Sequence, residues 1–174
     1  MGQSNVFKHG EPRLYVGGRL TSGGTIELGP GQAHYLRAVR RLSRGAAVAG
    51  FNAVDGEWLC RISEVGKSRV WLTVERRLRA PEPDADLWLL FAPIKRARHD
   101  WLVEKATELG ASALLPVWTV RTQSERLNLE RLRAHAVEAA EQSERLSVPE
   151  LRPPEALDRV LAAWPAERHI MVCD

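Results

Sequence analysis

Leu87-Trp88-Leu89-Leu90-Phe91-Ala92, then Pro93, then Lys95-Arg96-Ala97-Arg98, then the run from Asp100 to Gly110 (DWLVEKATELG): this stretch decides the fold. An apolar run broken by proline, followed by a basic loop, reads as a strand leading into a charged turn. In the next segment Leu102, Ala106 and Leu109 fall on one side while Glu104 and Glu108 share another, the spacing of a helix. Asp100 is its expected N-cap and Gly110 its expected C′ residue. Ala113 to Trp118 then repeats the strand signal. A polar loop holding Thr119, Arg121, Thr122 and Gln123 leads into a long helix that runs to Arg145. This alternation predicts βαβα units around a parallel sheet, an α/β fold.

In the long helix Leu129, Leu132, Ala136, Ala139, Ala140 and Ser143 form a stripe of mostly small side chains, which lets a helix approach a sheet closely. Lys105 sits beside Glu108, and Glu138, Gln142 and Arg145 sit together. Glu141 and Arg145, four apart, share a face. Spacing leaves two readings of these polar sets open: a functional cluster, or solvated faces carrying weak ion pairs. Pro149 is the expected stop of the long helix. Pro153-Pro154-Glu155 opens a shorter one carrying Leu157, Val160 and Leu161, which Trp164-Pro165 ends, and His169 to Cys173 is expected as a third strand.

Upstream, Leu14 to Val16, Thr25 to Leu28 and Ala47 to Phe51 are short apolar or alternating runs between glycine pairs, and they suggest a small β-domain. Glu57 to Ile62 and Arg69 to Val74 alternate as strands with one buried face. Gln32 to Leu42 reads as a short helix that gathers Arg37, Arg40, Arg41 and, just beyond, Arg44. Gly29 and Gly31 begin a G-x-G pattern, but His34 stands where the next glycine is needed, so a dinucleotide fingerprint is rejected. Pro81-Glu82-Pro83-Asp84 is the clearest linker. Domains are expected at residues 1–80 and 87–174, with 81–86 between them.

The chain has 174 residues, 44% of them hydrophobic and 27% charged, which suits a globular protein with one large or two small cores. Charge is uneven. Lys and Arg number 13 against 6 Asp and Glu up to Ala80, or +7, and 12 against 16 from Pro81, or −4; the sum is the formal +3. A basic N-terminal unit favours a nucleic-acid partner. The two cysteines, Cys60 and Cys173, have no paired spacing, which argues against a disulfide framework or a zinc site. The longest apolar run is far shorter than the roughly 18 residues of a membrane helix. With neither a signal peptide nor a myristoylation pattern, the expected location is cytoplasmic, with no membrane partner.

Residues 92–126 (APIKRARHDWLVEKATELGASALLPVWTVRTQSER) and 136–150 (AVEAAEQSERLSVPE) resemble the 16S rRNA (uracil-N3)-methyltransferase family. That family's pattern has a basic loop, a K-A-T-E-L-G helix, a T-x-R-[ST] loop and an A-x-E-A-x-E-Q-x-x-R helix. The run His34 to Leu42, then Gly45, Phe51-Asn52 and Asp55-Gly56-Glu57-Trp58, resembles its N-terminal RNA-binding barrel. Several motifs in the right order are far more specific than any one of them.

The resemblance implies a PUA-like β-barrel followed by the first βα units of a SPOUT-type, knotted α/β domain that works as a homodimer. It implies transfer of a methyl group from S-adenosylmethionine to uracil N3 in 16S rRNA of the small ribosomal subunit. The family's glycine-rich G-P-E-G-G loop and its L-G-x-x-I-L-R-x-E-T-A stretch, which hold the donor, have no counterpart up to Asp174. The knot segment is therefore expected to be absent, and the chain as given is expected to bind RNA without methylating it. By position in the motifs and at the strand ends, Glu108, Arg121, Glu141 and Arg145 are the candidate catalytic residues; Glu108 and Glu141 are possible bases, whereas an arginine stays protonated and would bind charge. Arg37, Arg40, Arg41, Arg44, Lys95 and Arg98 are the candidate RNA contacts, beside Arg96, Thr122 and Gln123 at the same strand ends. A non-catalytic RNA-binding module is the alternative. A nucleotide-binding α/β protein is disfavoured, since neither G-x-G-x-x-G nor a P-loop motif occurs.

Overall fold

The structure, a computed structural model, describes residues 11–93, 96–122 and 127–173, the side chains of Arg96 and Ala97 excepted. Its fold is mixed α/β. Contacts divide the chain into two compact units that are not sequential: residues 137–148 group with residues 1–84, and residues 85–136 group with 149–174.

In the first unit the alternating runs form β1 (Arg13–Tyr15), β2 (Thr25–Leu28), β3 (Ala47–Asn52), β4 (Gly56–Val65) and β5 (Val70–Arg79). They make one sheet in the order β1-β3-β4-β5-β2, parallel between β1 and β3 and antiparallel elsewhere. Register shifts at three places between β4 and β5 mark bulges, which bend a strand pair and raise its twist. Leu14, Leu28, Leu36, Val48, Ile62, Val70 and Leu72 fill the core. Cys60 lies among them, and burial pushes its thiol up to about 11, whereas Cys173 is exposed.

The expected helix from Gln32 to Leu42 is two short pieces. α1 (Pro30–His34) starts with proline at its first position and passes into a π-helical turn over Tyr35–Val39. Arg41 then takes a left-handed backbone, φ 53°, a conformation that costs a non-glycine residue about 1 kcal/mol. Arg37 and Arg41 are therefore not stacked one helical turn apart.

In the second unit β6 (Trp88–Phe91) and β7 (Ala113–Trp118) are parallel, as expected, with Trp88 opposite Ala113 and Phe91 opposite Pro116. α2 (Arg96–Glu108) connects them. It starts before Asp100, so Asp100 is not its N-cap; the carboxylate instead pairs with Arg131 at 2.8 Å and approaches His135 at 3.5 Å. Gly110 is the C′ residue, φ 97°. The Gly110 N–H donates to Thr107 O and the Ala111 N–H to Ala106 O, the Schellman pattern, with Ala106 and Ala111 both buried. Leu109 lies beyond the helix end and is 81% exposed; the buried stripe is His99, Val103, Ala106 and Thr107.

α3 (Leu129–Gln142) buries Leu132, Ala136, Ala139 and Ala140, as its pattern predicts. It stops at Gln142 because Glu144 turns left-handed, φ 60°, well before Pro149. Arg145 is therefore off the helix. Short strands β8 (Glu150–Leu151) and β9 (Glu155–Ala156) pair in parallel with β7, and α4 (Leu157–Ala162) follows. The expected strand over His169 to Cys173 does not form: these residues carry no ladder, and Met171 and Val172 are exposed. β8 and β9 pair with β7, and the Trp164 Nε1–H donates to Arg168 O, closing the turn ahead of His169.

A tight connection joins β3 to β4. The Asn52 Oδ1 accepts the N–H groups of Val54 and Asp55 at 3.0 and 2.7 Å, an Asx turn, and Gly56 completes it at φ 83°. A Cβ on Gly56 would stand 2.3 Å from Arg79 O. Gly56→Ala is expected to destabilise the protein by more than about 1 kcal/mol, read as a lower Tm; an unchanged Tm would mean that the turn relaxes freely.

Candidate nucleic-acid interface

Several arginines of the first unit hold carboxylates. Arg13 pairs with Glu57, Arg19 with Asp55, Arg61 with Glu75, Arg69 with Glu27 and Arg79 with Glu57. In contrast, among the described residues Arg37, Arg41, Arg44 and Lys67 form no ion pair. These unneutralised cations line two depressions that meet at Arg37. One, of about 530 Å³, holds Arg37, Arg41 and Arg44 with Leu42, Ser63 and Glu64. The other, of about 420 Å³, holds Arg37, His34 and Lys67 with Pro30 and Ser68. An Arg37 Nη1–H donates to Lys67 O, which fixes the guanidinium and leaves the rest of its fork for an anion. Sequence spacing found Arg37, Arg40, Arg41 and Arg44; Arg40 is exposed, with its N–H donating to Tyr35 O at 2.9 Å. It missed Lys67 and His34, since the β4–β5 turn that carries Lys67 is brought to the helix only by tertiary folding.

In the second unit β6 and β7 run parallel and in register, so their C-terminal ends share one edge of the sheet. Arg98, in the first turn of α2, is exposed. So is Arg121, in a turn where the Thr122 Oγ1 accepts the Thr119 N–H at 2.9 Å and meets Thr119 Oγ1 at 2.8 Å. Lys95 and Gln123 lie outside the described residues. Glu108 is held by Lys105 Nζ at 2.9 to 3.0 Å on an outer helix face, the solvated ion pair that spacing allowed.

Glu141 and Arg145 do not meet each other. Glu141 Oε1 accepts the Tyr15 N–H at 2.9 Å. Arg145 donates to Asp84 Oδ1 at 3.1 Å and to Ser147 Oγ at 2.8 Å, while Ser147 donates to the same Asp84 oxygen at 2.6 Å. Glu141 thus ties the end of α3, and Arg145 the chain after it, to other parts of the first unit. Arg13 does so most strongly: its guanidinium donates to Ala140 O at 2.7 Å and to Arg145 O at 2.5 Å, pairs with Glu57 at 2.6 Å, and lies 3.6 Å over the Phe51 ring.

Another cleft, of about 570 Å³, opens beside β6 and β7 and is lined by Trp88, Arg152, Glu155, Arg159 and Trp164. Arg152 and Arg168 lie 4.3 and 3.7 Å over the Trp88 ring. Its walls are mostly apolar, with Arg152, Arg159 and Glu155 as the charged lining residues; Arg152 pairs with Glu150 and Arg168 with Asp86. Among the described residues no His, Cys, Asp or Glu group is arranged to hold a metal ion, and no helix is long and apolar enough to cross a membrane.

Burial raises the Glu141 carboxyl above its ordinary 4.5, and the Tyr15 N–H and Arg13 only partly offset it. A carboxyl raised on folding stabilises the fold below its unfolded pKa and loses that contribution as pH rises through its folded value. Glu141→Gln keeps an acceptor for Tyr15 and removes the buried charge. Its stability relative to wild type is expected to rise on going from about pH 4 to about pH 7, followed by thermal melts across that range; a pH-independent difference would contradict this.

A family model described as an RNA methyltransferase domain matches residues 81–174, and one described as an RNA methyltransferase PUA domain matches residues 28–75. The chain is similar to ribosomal RNA small subunit methyltransferase E of Rickettsia conorii, 35% identical over 138 residues, which are 79% of this chain and 57% of that protein. It is likewise similar to the enzyme of that name from Synechocystis, 32% identical over 146 residues, 82% of this chain and 47% of the other. It thus spans about half the length of these curated relatives. A Legionella pneumophila methyltransferase solved with its bound cofactor S-adenosylmethionine has a TM-score of 0.82 to it at 26% identity, covering 92% of this chain and 68% of the other. The match over residues 81–174 takes in more than half of the chain, and on it the chain belongs to the RNA methyltransferase domain family.

Proposed function

We propose that this chain is part of an S-adenosylmethionine-dependent enzyme that methylates N3 of a uracil in 16S rRNA of the small ribosomal subunit, acting in the cytoplasm as a homodimer. The observation that carries this reading is the pairing of a surface of unneutralised cations, on the unit matched as a PUA domain, with an RNA methyltransferase domain match in the same chain. The named relatives, which are ribosomal RNA small subunit methyltransferases, give the substrate class. On this reading residues 1–80 are a PUA-like barrel, 81–86 a linker, and 87–174 the first βα units of a SPOUT-type knotted domain.

Arg37, Arg40, Arg41 and Arg44 take rRNA phosphates in this proposal. Arg98 and Arg121 extend that role to the strand ends of the second unit, where ligands of open α/β sheets sit. Uracil N3 must give its proton to solvent water before it attacks, and cations at this edge stabilise the anionic ring as it forms. Glu141 and Arg145 act as positioning residues, since their polar atoms are engaged by Tyr15, Asp84 and Ser147. Glu108, held by Lys105, contributes to the solvated face. S-adenosylmethionine would supply an electrophilic methyl group on a sulfonium. The described cleft beside Trp88 offers that donor no dedicated acidic partner beyond Glu155, and its Arg152 is already paired with Glu150.

Deleting the gene that encodes these residues is expected to remove N3-methyluridine from 16S rRNA, read by mass spectrometry of nuclease digests, with the wild-type gene restoring it. Full methylation in the deletion strain would overturn the assignment. In the purified protein, Arg37→Ala with Arg41→Ala is expected to lower rRNA affinity and to reduce the salt slope of binding by about two, one for each lost phosphate contact. An unchanged slope would remove those arginines from the interface.

A further inference from the structure

Resting on that reading, we propose that the basic surface of the first unit binds base-paired RNA through its sugar–phosphate backbone, and that Lys67 is part of the contact. Arg37 ties the two depressions into one track, because its guanidinium lines both and donates to the carbonyl of Lys67 on the β4–β5 turn. Arg41 and Arg44 line the first depression with Arg37, and Lys67 and His34 line the second with it. The track is therefore longer than the helix arginines alone.

What lines it decides the kind of RNA. Proteins that hold single strands stack successive bases on aromatic rings, and sequence-specific contacts to unpaired bases use the same platforms. Neither depression is lined by Phe, Tyr or Trp; the His34 imidazole is the one ring there. Their remaining polar groups include the hydroxyls of Ser43, Ser63 and Ser68. Guanidinium, ammonium and hydroxyl groups without an aromatic floor match phosphates and ribose 2′-hydroxyls, which a paired A-form helix presents in its wide minor groove. Glu64 lies in the first depression, and its charge disfavours deep entry of an anion on that side. Phosphates are accordingly placed nearest Arg37, Arg41 and Lys67.

The test compares two RNA probes with the 174-residue chain over a series of salt concentrations: a hairpin with a stem of about 16 base pairs, and an oligouridine of equal length that cannot pair. The stem is expected to bind several-fold more tightly, with little change when its sequence is permuted. Lys67→Ala should lower the salt slope for the stem by about one and weaken permuted stems equally, while Lys67→Arg should restore both. Equal or tighter binding of oligouridine would overturn the inference while leaving RNA binding by this unit intact, as would an unchanged slope in Lys67→Ala. Binding of neither probe would overturn the inference together with the RNA-binding reading on which it rests.

Discussion

The guanidinium of Arg13 holds the end of α3 to the sheet that begins with β1, and the order of the first unit depends on it. The last carbonyls of a helix have no partner within the helix; Arg13 takes one of them, Ala140 O, and also Arg145 O in the chain just beyond. A cation at a helix C-terminus also gains from the helix dipole. The Arg13–Glu57 pair is only 9% exposed on each side. Burial is the largest influence on Arg13 and disfavours its charge, and Glu57 opposes it. Removing one partner of such a pair usually costs about 3 to 5 kcal/mol, because a buried charge is left alone. Glu57 also forms an ion pair with Arg79, whose Nη2 donates to Glu144 O at 2.7 Å. Phe51, Ala140 and Leu146 pack beneath this network as an apolar cluster.

This anchoring bears on how the candidate residues of the EQSER segment are understood. A glutamate and an arginine four apart suggest a helical pair, yet Glu144 in a left-handed conformation takes Arg145 off the helix. Each side chain then finds a separate partner in the first unit. The charges of the unit follow a related division. Arginines that pair with Glu and Asp hold the sheet and its turns together, whereas Arg37, Arg41, Arg44 and Lys67 line the two depressions.

Much of the fold was legible in the sequence. The runs at Thr25, Ala47, Ala113 and Leu87 became strands with nearly the expected limits, because alternation or a short apolar run bounded by glycine or proline leaves few other ways to bury those residues. Gly110 ended α2 as expected. Failures occurred where local pattern competes with tertiary partners. Asp100 looks like a cap but is drawn sideways to Arg131. Leu109 matches the apolar stripe but falls past the helix end. His169 to Cys173 has strand-forming residues, yet local alternation alone does not supply a ladder partner, and none of these residues is in one. Of the candidate interface, the helix arginines were visible by spacing. Lys67 was not, because its nearness to Arg37 arises from the β4–β5 turn and carries no local signal, and the role of Arg13 depends on contacts more than a hundred residues away along the chain.

The account's central claim is that Arg13 fixes residues 140–148 to the sheet, and hydrogen exchange of Arg13→Met tests it most directly. Exchange is expected to quicken at Tyr15 and across residues 143–148, while the amides of the β4–β5 pair keep their protection. Arg13→Lys, which retains charge but lacks the fork that reaches two carbonyls, should show the same pattern to a smaller degree. Unchanged protection in residues 143–148 of both variants would contradict the claim, and would mean that the apolar cluster at Phe51 holds this segment without the guanidinium.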